Sequence, residues 1–179
     1  MFSSTILLVP GLGNSDDNHW QSYWEKKHFF PRVHQDNWEG PMCSEWVKTL
    51  DETISKFGPA DVILVGHSLA CATIGWWQAA SGRKIKAALL VAPADTEARG
   101  FPDKATGFAP MPIQKLPFPT IVVASTNDEY VSLERAKYFA NCWGSKFINI
   151  GAVGHINSAA NLQDWPEGLE LLKLLDRKV

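Results

Sequence analysis

One serine follows an apolar run in a pattern that could make it a nucleophile. Residues 62–65 are apolar and predict a buried strand, and small, helix-forming residues follow Ser68. Gly66 and Ala70 lie two positions before and after the serine, where a tight strand-to-helix turn needs small side chains. Such a nucleophile elbow would expose the Ser68 hydroxyl and direct free helix N–H groups at negative charge beside it. An ordinary polar turn can carry the same motif, so other residues must decide.

A serine hydroxyl needs a base to remove its proton, and the base needs a carboxylate to hold its tautomer. His155 follows the last predicted strand and is flanked by glycine, and we predict it as the base. Asp128 lies in a short turn after the preceding strand, and we predict it as the carboxylate. Asp95 is the alternative, since it also follows a strand, but it belongs to an irregular segment. Glu129 adjoins Asp128, although neighbouring side chains normally point apart.

Negative charge on an attacked carbonyl oxygen requires two backbone donors, an oxyanion hole. One comes from the residue after the nucleophile, which is Leu69, and the other from the loop after an early strand. We predict the Leu12 N–H as the second donor, because Gly11 and Gly13 let that loop approach a substrate closely. A structural glycine turn would have the same sequence, so this prediction depends on the serine.

The remaining histidines give weaker signals. His67 lies inside the elbow, with its side chain directed away from that of Ser68, and we interpret it as a packing residue or a hydrogen-bond partner of the site. His19 begins a predicted helix beside Trp20 and could line the mouth of a pocket, although a structural role is more usual for a residue in that position. The eight tryptophans are mostly typical of core.

Alternating strands and helices predict an α/β protein with a doubly wound, mostly parallel sheet and helices on both faces. Ligands of such sheets bind beyond the carboxyl ends of the strands, where Ser68, Asp128 and His155 fall.

Residues 93–119 are rich in proline and lack periodicity, and we predict a flap over one end of the sheet. We expect a single domain over residues 1–179, with no inserted cap domain. The predicted strands are 5–9, 62–65, 87–91, 120–124 and 146–150, with a short extended segment at 32–34, and the predicted helices are 19–27, 42–57, 69–80, 132–143 and 166–175.

Composition narrows the class of function. With 179 residues, 45% hydrophobic and 20% charged, the chain is long enough to bury one core. A formal charge of −2 without long blocks of either sign argues against nucleic acid and membrane partners and favours a small molecule. No signal peptide or membrane span is apparent, so we expect a cytoplasmic protein. The three cysteines lack the spacing of a disulfide framework or a zinc site, so we predict neither metal nor cofactor.

The chain order serine, aspartate, histidine is that of α/β-hydrolases. The chain resembles the compact serine hydrolases typified by the retinoblastoma-binding serine hydrolase and by bacterial YdeN-type proteins. This resemblance implies a reduced α/β-hydrolase fold with Ser68, Asp128 and His155 as the catalytic residues, in agreement with their spacing. The motifs that carry it are distributed over nearly the whole length, at 10–12, 19–20, 36–38, 66–70, 90–93, 108–110, 116–119, 127–128, 143–144, 154–157 and 165–166.

Three features depart from the pattern of that family. Ala70 replaces the usual last glycine of the elbow, and we expect its methyl group to crowd the turn slightly without preventing it. Residues 159–161 replace the usual serine–glycine pair after His155, which changes the local pocket wall. The Leu-x-Cys-x-Glu motif of retinoblastoma binding is not reproduced, because a proline stands where leucine is required before Cys43. We therefore do not expect that protein partner.

These observations predict a serine hydrolase that cleaves a small ester, thioester or amide through an acyl-enzyme, with carboxylesterase-like chemistry most favoured. One alternative is a non-catalytic binding protein on the same fold, against which the ordered set of three residues argues. Another is different chemistry by the same three residues, such as acyl transfer or a lyase reaction.

Overall fold

The computed structural model describes residues 2–177, and within them the chain forms a five-stranded sheet. All four strand pairs are parallel, and the strands lie side by side in chain order. The strands are β1 (Thr5–Val9), β2 (Val62–His67), β3 (Ala87–Val91), β4 (Thr120–Ala124) and β5 (Lys146–Asn149). The three central strands are buried along their whole length, which explains their continuous apolar runs.

Helices pack on both faces of this sheet, which confirms the predicted α/β class. They are α1 (Trp20–His28), α2 (Cys43–Ser55), α3 (Leu69–Ser81), α4 (Leu133–Trp143) and α5 (Pro166–Arg177), with 3₁₀ turns at Pro59–Asp61 and Ser158–Ala160. Helices α2, α3 and α4 share one buried cluster with Trp46, Trp77 and Trp143. Helices α1 and α5 share the other cluster, which includes Trp20 and Trp24. Most tryptophans are therefore core residues, as predicted.

Local sequence signals determine where the helices begin and end. Ser132 caps α4 by accepting a hydrogen bond from the Arg135 N–H, and Gly144 ends that helix in the left-handed conformation. His19 caps α1 through its side chain, which accepts from the Gln21 N–H. The predicted helices and strands agree with the structure to within two residues at each end. No helix within residues 2–177 is long and apolar enough to cross a membrane.

The segment 32–34 is not a full strand. A single parallel bridge joins Arg32 to Leu8, so this stretch adds only one residue pair beside β1. The bridge consists of hydrogen bonds from the Leu8 N–H to the Pro31 carbonyl and from the Val33 N–H to the Leu8 carbonyl. The stretch 32–34 is too short to form more pairs with β1, so it is an irregular segment at this edge of the sheet.

Residues 93–119 contain no regular strand or helix between β3 and β4. They are nevertheless well packed, because Phe108, Met111 and Leu116 are buried in the same cluster as α2, α3 and α4. A parallel bridge between Thr106 and Met42 joins the segment to the start of α2. The segment is thus an ordered irregular connection that packs into the core beside α2, α3 and α4.

Candidate active site

Strand β2 delivers Ser68 into a strained turn. Its backbone has φ 58° and ψ −122°, a conformation that serine rarely adopts, and α3 begins at the next residue. A Cβ at Gly66 would lie 2.7 Å from Ile74 Cδ1 and 3.6 Å from Ala70 Cβ. The arriving strand and departing helix are therefore close at position 66, and a side chain there would displace the end of the Ile74 side chain. The Ala70 methyl group is accommodated there, and the turn keeps its strained geometry despite this substitution.

His155 lies between the Ser68 hydroxyl and the Asp128 carboxylate. Its Nε2 is 2.8 Å from Ser68 Oγ, and its Nδ1 is 2.9 Å from each Asp128 carboxylate oxygen. The side chain of Asp128 is 0% exposed and that of His155 is 7% exposed. Because the carboxylate accepts from Nδ1–H, Nε2 carries the lone pair that accepts from the serine hydroxyl. This arrangement can raise the nucleophilicity of Ser68.

Asp95, the alternative carboxylate, is bonded to Arg135 and not to His155. Its two oxygens accept hydrogen bonds of 2.7 Å from Arg135 Nε and 2.9 Å from Arg135 Nη2. These bonds raise the pKa of Arg135 further above its ordinary value, so the guanidinium stays charged. Glu129 contributes to the wall of the neighbouring cavity instead. Of the three carboxylates considered from sequence, the structure brings only Asp128 into contact with the His155 ring.

Two backbone N–H groups lie beside Ser68 without an acceptor. Leu12 and Leu69 both line the cavity next to the serine, and neither N–H donates to any group within residues 2–177. Gly11 presses against the elbow, since a Cβ there would lie 2.8 Å from the His67 carbonyl oxygen and 2.9 Å from Ser68 Cβ. Only glycine permits this approach of the β1 loop. Two unpaired donors next to a nucleophile can stabilise an oxyanion.

The serine, the histidine and both N–H groups face a cavity of about 460 Å³. Phe101 and Pro102 line it, so the irregular segment 93–119 supplies part of its wall. The loop after β5 supplies another part, which includes Ala159, one of the residues that depart from the family pattern. Tyr130 lies at the cavity with its ring centroid 4.5 Å from that of His155.

Two more histidines lie behind His155. The His67 ring centroid is 4.9 Å from that of His155 and 4.6 Å from that of His19. His67 Nε2 donates a 2.9 Å hydrogen bond to the His155 carbonyl oxygen. This residue is therefore a hydrogen-bond partner of the site, one of the two roles that its sequence position indicated. Burial lowers the pKa of His67 well below its ordinary value and that of His19 to about 3. Both rings are therefore neutral near pH 7.

Sequence reasoning missed two polar residues that hold the loop of His155. Asn127 Oδ1 accepts a 2.7 Å hydrogen bond from the Gly154 N–H, and Ser125 Oγ accepts a 2.9 Å bond from the Val153 N–H. The Ser125 hydroxyl in turn donates to Asn127 Oδ1 at 2.9 Å. Their position between the end of β4 and Asp128 was the signal available, since polar residues at a strand end adjoin the site.

The cysteines take no part in this arrangement. All three are free, and burial raises the pKa of Cys43 to about 12 and that of Cys71 above its ordinary value. Within residues 2–177, no group of three or more histidine, cysteine, aspartate or glutamate side chains could hold a metal ion.

A parallel sheet between two helical layers, a serine on a strained strand–helix turn, and an acid and a histidine at later strand ends define an α/β-hydrolase. The serine hydrolase family model matches residues 6–174, and the chain belongs to that family. The resemblance to YdeN-type proteins is confirmed by solved structures.

A YdeN-like hydrolase from Pectobacterium atrosepticum is 34% identical, with a TM-score of 0.84 over 96% of this chain and 90% of that chain. The ydeN gene product of B. subtilis is 18% identical, with a TM-score of 0.80 over 98% of this chain and 100% of that chain. Est1E from Butyrivibrio proteoclasticus, solved with bound ferulic acid, is 15% identical, with a TM-score of 0.68 over 94% of this chain and 88% of that chain. The last two likenesses show the fold alone. No curated protein sequence matches the chain.

Proposed function

We propose that this serine hydrolase is carboxylesterase-like and cleaves a small ester, or a related thioester or amide, through an acyl-enzyme. The observation that carries the proposal is the continuous hydrogen-bonded line from Ser68 Oγ through the His155 ring to Asp128. The strained backbone at Ser68 adds support, because such strain persists where the surrounding structure holds a residue for function.

In the first half of the reaction, Ser68 Oγ attacks the substrate carbonyl carbon while His155 Nε2 takes the hydroxyl proton. The buried Asp128 carboxylate stabilises the resulting imidazolium. The Leu12 and Leu69 N–H groups bind the oxyanion of the tetrahedral intermediate. When that intermediate collapses, the bond to the leaving group breaks and His155 gives its proton to the departing oxygen, sulfur or nitrogen.

In the second half, a water molecule enters the space left by the leaving group. His155 removes one of its protons, and the oxygen attacks the acyl carbon of the ester on Ser68. Collapse of this second intermediate breaks the bond to Ser68 Oγ, which regains its proton from His155. The products are the free acid and the unmodified enzyme, so protons and electrons balance with water as the co-substrate.

The size of the cavity supports a small acyl group. A volume of about 460 Å³ is at the lower end of the range for small-molecule sites, and Phe101 and Pro102 narrow it on one side. Est1E, whose fold is similar, was solved with an aromatic carboxylic acid bound, and that acid is the product class of ester hydrolysis. We therefore expect short-chain and compact aromatic esters to be better substrates than long-chain lipids.

Activity-based labelling tests the proposal. A fluorophosphonate probe should label the wild type, and p-nitrophenyl acetate and butyrate should be hydrolysed faster than the long-chain palmitate ester. The Ser68→Ala variant should take no label and lose at least about 10³-fold in kcat. The matched control is Ser81→Ala, at the end of α3, which should behave as the wild type.

Labelling that survives Ser68→Ala would remove this serine from the role of nucleophile. A folded wild type that takes no label and hydrolyses no ester would instead support a non-catalytic binding protein.

A further inference from the structure

The residue directly before Ser68 contacts the main chain of His155. His67 belongs to β2, and its Nε2 lies 2.9 Å from the His155 carbonyl oxygen. A carbonyl oxygen can only accept, so the imidazole N–H donates. One strand end therefore both carries the proposed nucleophile and holds the backbone of the proposed base, although the two histidines are 88 positions apart in the chain.

The loop around His155 relies on such contacts because it contains no regular structure. Ile156 has φ 51°, a left-handed conformation that a β-branched residue rarely adopts. Trp20 Nε1 donates a 2.8 Å hydrogen bond to the Ile156 carbonyl. Ring N–H donors thus hold two successive carbonyl groups, those of His155 and Ile156. The side chains of Ser125 and Asn127 accept from the two N–H groups just before His155.

The His67 ring itself has little freedom to move. Its side of the cavity is enclosed by His19, whose ring meets it edge to face at 4.6 Å, and by Trp20, whose ring centroid is 6.1 Å away. His67 is 5% exposed, and burial keeps its imidazole neutral with the N–H at Nε2 directed to the carbonyl. The His67 N–H donor therefore stays in one position on a neutral ring.

We propose that His67 is a positioning residue of the reaction: its hydrogen bond fixes the His155 main chain, and so holds His155 Nε2 at hydrogen-bonding distance from Ser68 Oγ. The inference rests on the proposed function of His155 as the base. A shift of His155 of about 1 Å would lengthen its contact with Ser68, and misplacements of that size can cost about 10²-fold in rate. His67 also lines the cavity, but the proposed effect falls on the position of the base, so we expect KM to change less than kcat.

Two substitutions separate the hydrogen bond from the volume of the ring. His67→Phe keeps an aromatic ring without a donor, and His67→Gln places an amide N–H at about the reach of Nε2 without a titrating group. We expect His67→Phe to lower kcat for p-nitrophenyl butyrate by about 10- to 100-fold with KM changed less than about twofold. We expect His67→Gln to recover kcat to within about threefold of the wild type.

Controls separate positioning from general loosening of the core. Ile54→Val, a buried substitution on α2, should leave kcat unchanged. If His67→Phe does not fold, His67→Asn replaces it, because the shorter amide cannot reach the carbonyl and should be as defective as the phenylalanine variant. A folded His67→Phe or His67→Asn with wild-type kcat would overturn the inference, as would a glutamine variant no better than either.

A second measurement does not depend on turnover. The His155 Nδ1–H that donates to Asp128 should give a downfield proton resonance in the wild type, which His67→Gln preserves and His67→Phe broadens or shifts upfield. An unchanged resonance in His67→Phe would contradict positioning by His67. Wild-type protein that neither hydrolyses esters nor takes the probe would instead refute the proposed function, and the resonance would still decide whether His67 orders the loop.

Discussion

The two ends of the sheet each hold a nearly buried carboxylate, and the structure uses the two differently. At the carboxyl end, Asp128 bonds to His155, whose other nitrogen faces Ser68. At the amino end, Asp176 accepts from the Ser3 N–H at 2.8 Å, from serine hydroxyls and from Lys86 Nζ at 3.2 Å. The hydrogen bonds of Asp176 all go to groups that take no part in the proposed reaction. Asp128 instead bonds to the His155 ring, which exchanges protons during that reaction.

The same contrast appears in the backbone. Ser68, Ala92 and Ile156, which follow strands at the carboxyl end, have φ values of 58°, 48° and 51°. Residues in this region cost on the order of 1–3 kcal/mol each, so the rest of the fold must stabilise them. The closed network around Asp176 is one source of that stabilisation. Strained backbone and unpaired N–H donors thus lie beside Ser68, where chemistry is proposed, whereas the carboxylate at the opposite end is fully hydrogen-bonded.

The largest expected effect is the loss of the Asp128 charge. Asp128→Asn preserves size but presents an amide N–H to His155, which favours the tautomer with its proton on Nε2 and removes the acceptor for Ser68. We expect kcat for p-nitrophenyl butyrate to fall by roughly 10³- to 10⁴-fold, with little change in KM and in the unfolding midpoint. Steady-state kinetics and urea unfolding give both quantities.

The matched control for this prediction is Asp95→Asn. It breaks the ion pair with Arg135 but leaves the His155 ring untouched, so kcat should stay within about tenfold of the wild type. Equal losses in the two variants would contradict the assignment of Asp128 as the orienting carboxylate.

At the opposite end of the sheet, Asp176→Asn should reduce stability and leave activity intact. The change removes the charged partner of Lys86 and weakens the three hydrogen bonds from Ser3 and Ser4, and we expect roughly 2–3 kcal/mol less free energy of unfolding at pH 7. Although burial opposes it, hydrogen bonding to Ser4, Ser3 and Lys86 lowers the pKa of Asp176 below 3.8. The stabilisation is therefore present above pH 3.8 and is lost as the pH falls below it.

Urea unfolding at pH 7 and pH 3 measures this difference. The exposed pair of Glu170 and Lys173 provides the control, because Glu170→Gln should leave the unfolding midpoint unchanged. A fall in kcat for Asp176→Asn, with stability retained, would reverse the roles assigned to the two ends.

Sequence patterns predicted much of this molecule because its main determinants are local. Apolar runs and helical periodicity gave the strands and helices, and the rule that parallel sheets bind ligands at their carboxyl ends brought Ser68, Asp128 and His155 together. Sequence alone leaves Asp95 as an alternative to Asp128, and the structure decides between them. The choice depends on Arg135, 40 positions after Asp95, which pairs with that carboxylate only once α4 is packed.

The contacts that hold the site were harder to predict for the same reason. His67 and Trp20 bond to carbonyl groups 88 and 136 positions away, and such pairs have no periodic signature in the chain. Likewise, the wall that residues 93–119 give the cavity depends on how an irregular segment packs. Sequence spacing gives the order of strand ends along the chain, whereas tertiary packing decides which loop atoms meet.

The smallest expected effect concerns His19, which makes the carboxyl end sensitive to acid. Its pKa of about 3, lowered by burial from 6.5, means that between these pH values the unfolded chain binds a proton that the folded protein does not. Stability should therefore fall as the pH decreases from 6.5 towards 3. His19→Asn keeps a helix-capping side chain for α1 without titrating, so between pH 7 and pH 5 it should lose about 2 kcal/mol less than the wild type in urea unfolding. His34→Asn, at an exposed position, is the matched control. An equally steep loss in His19→Asn would show that His19 does not set this sensitivity.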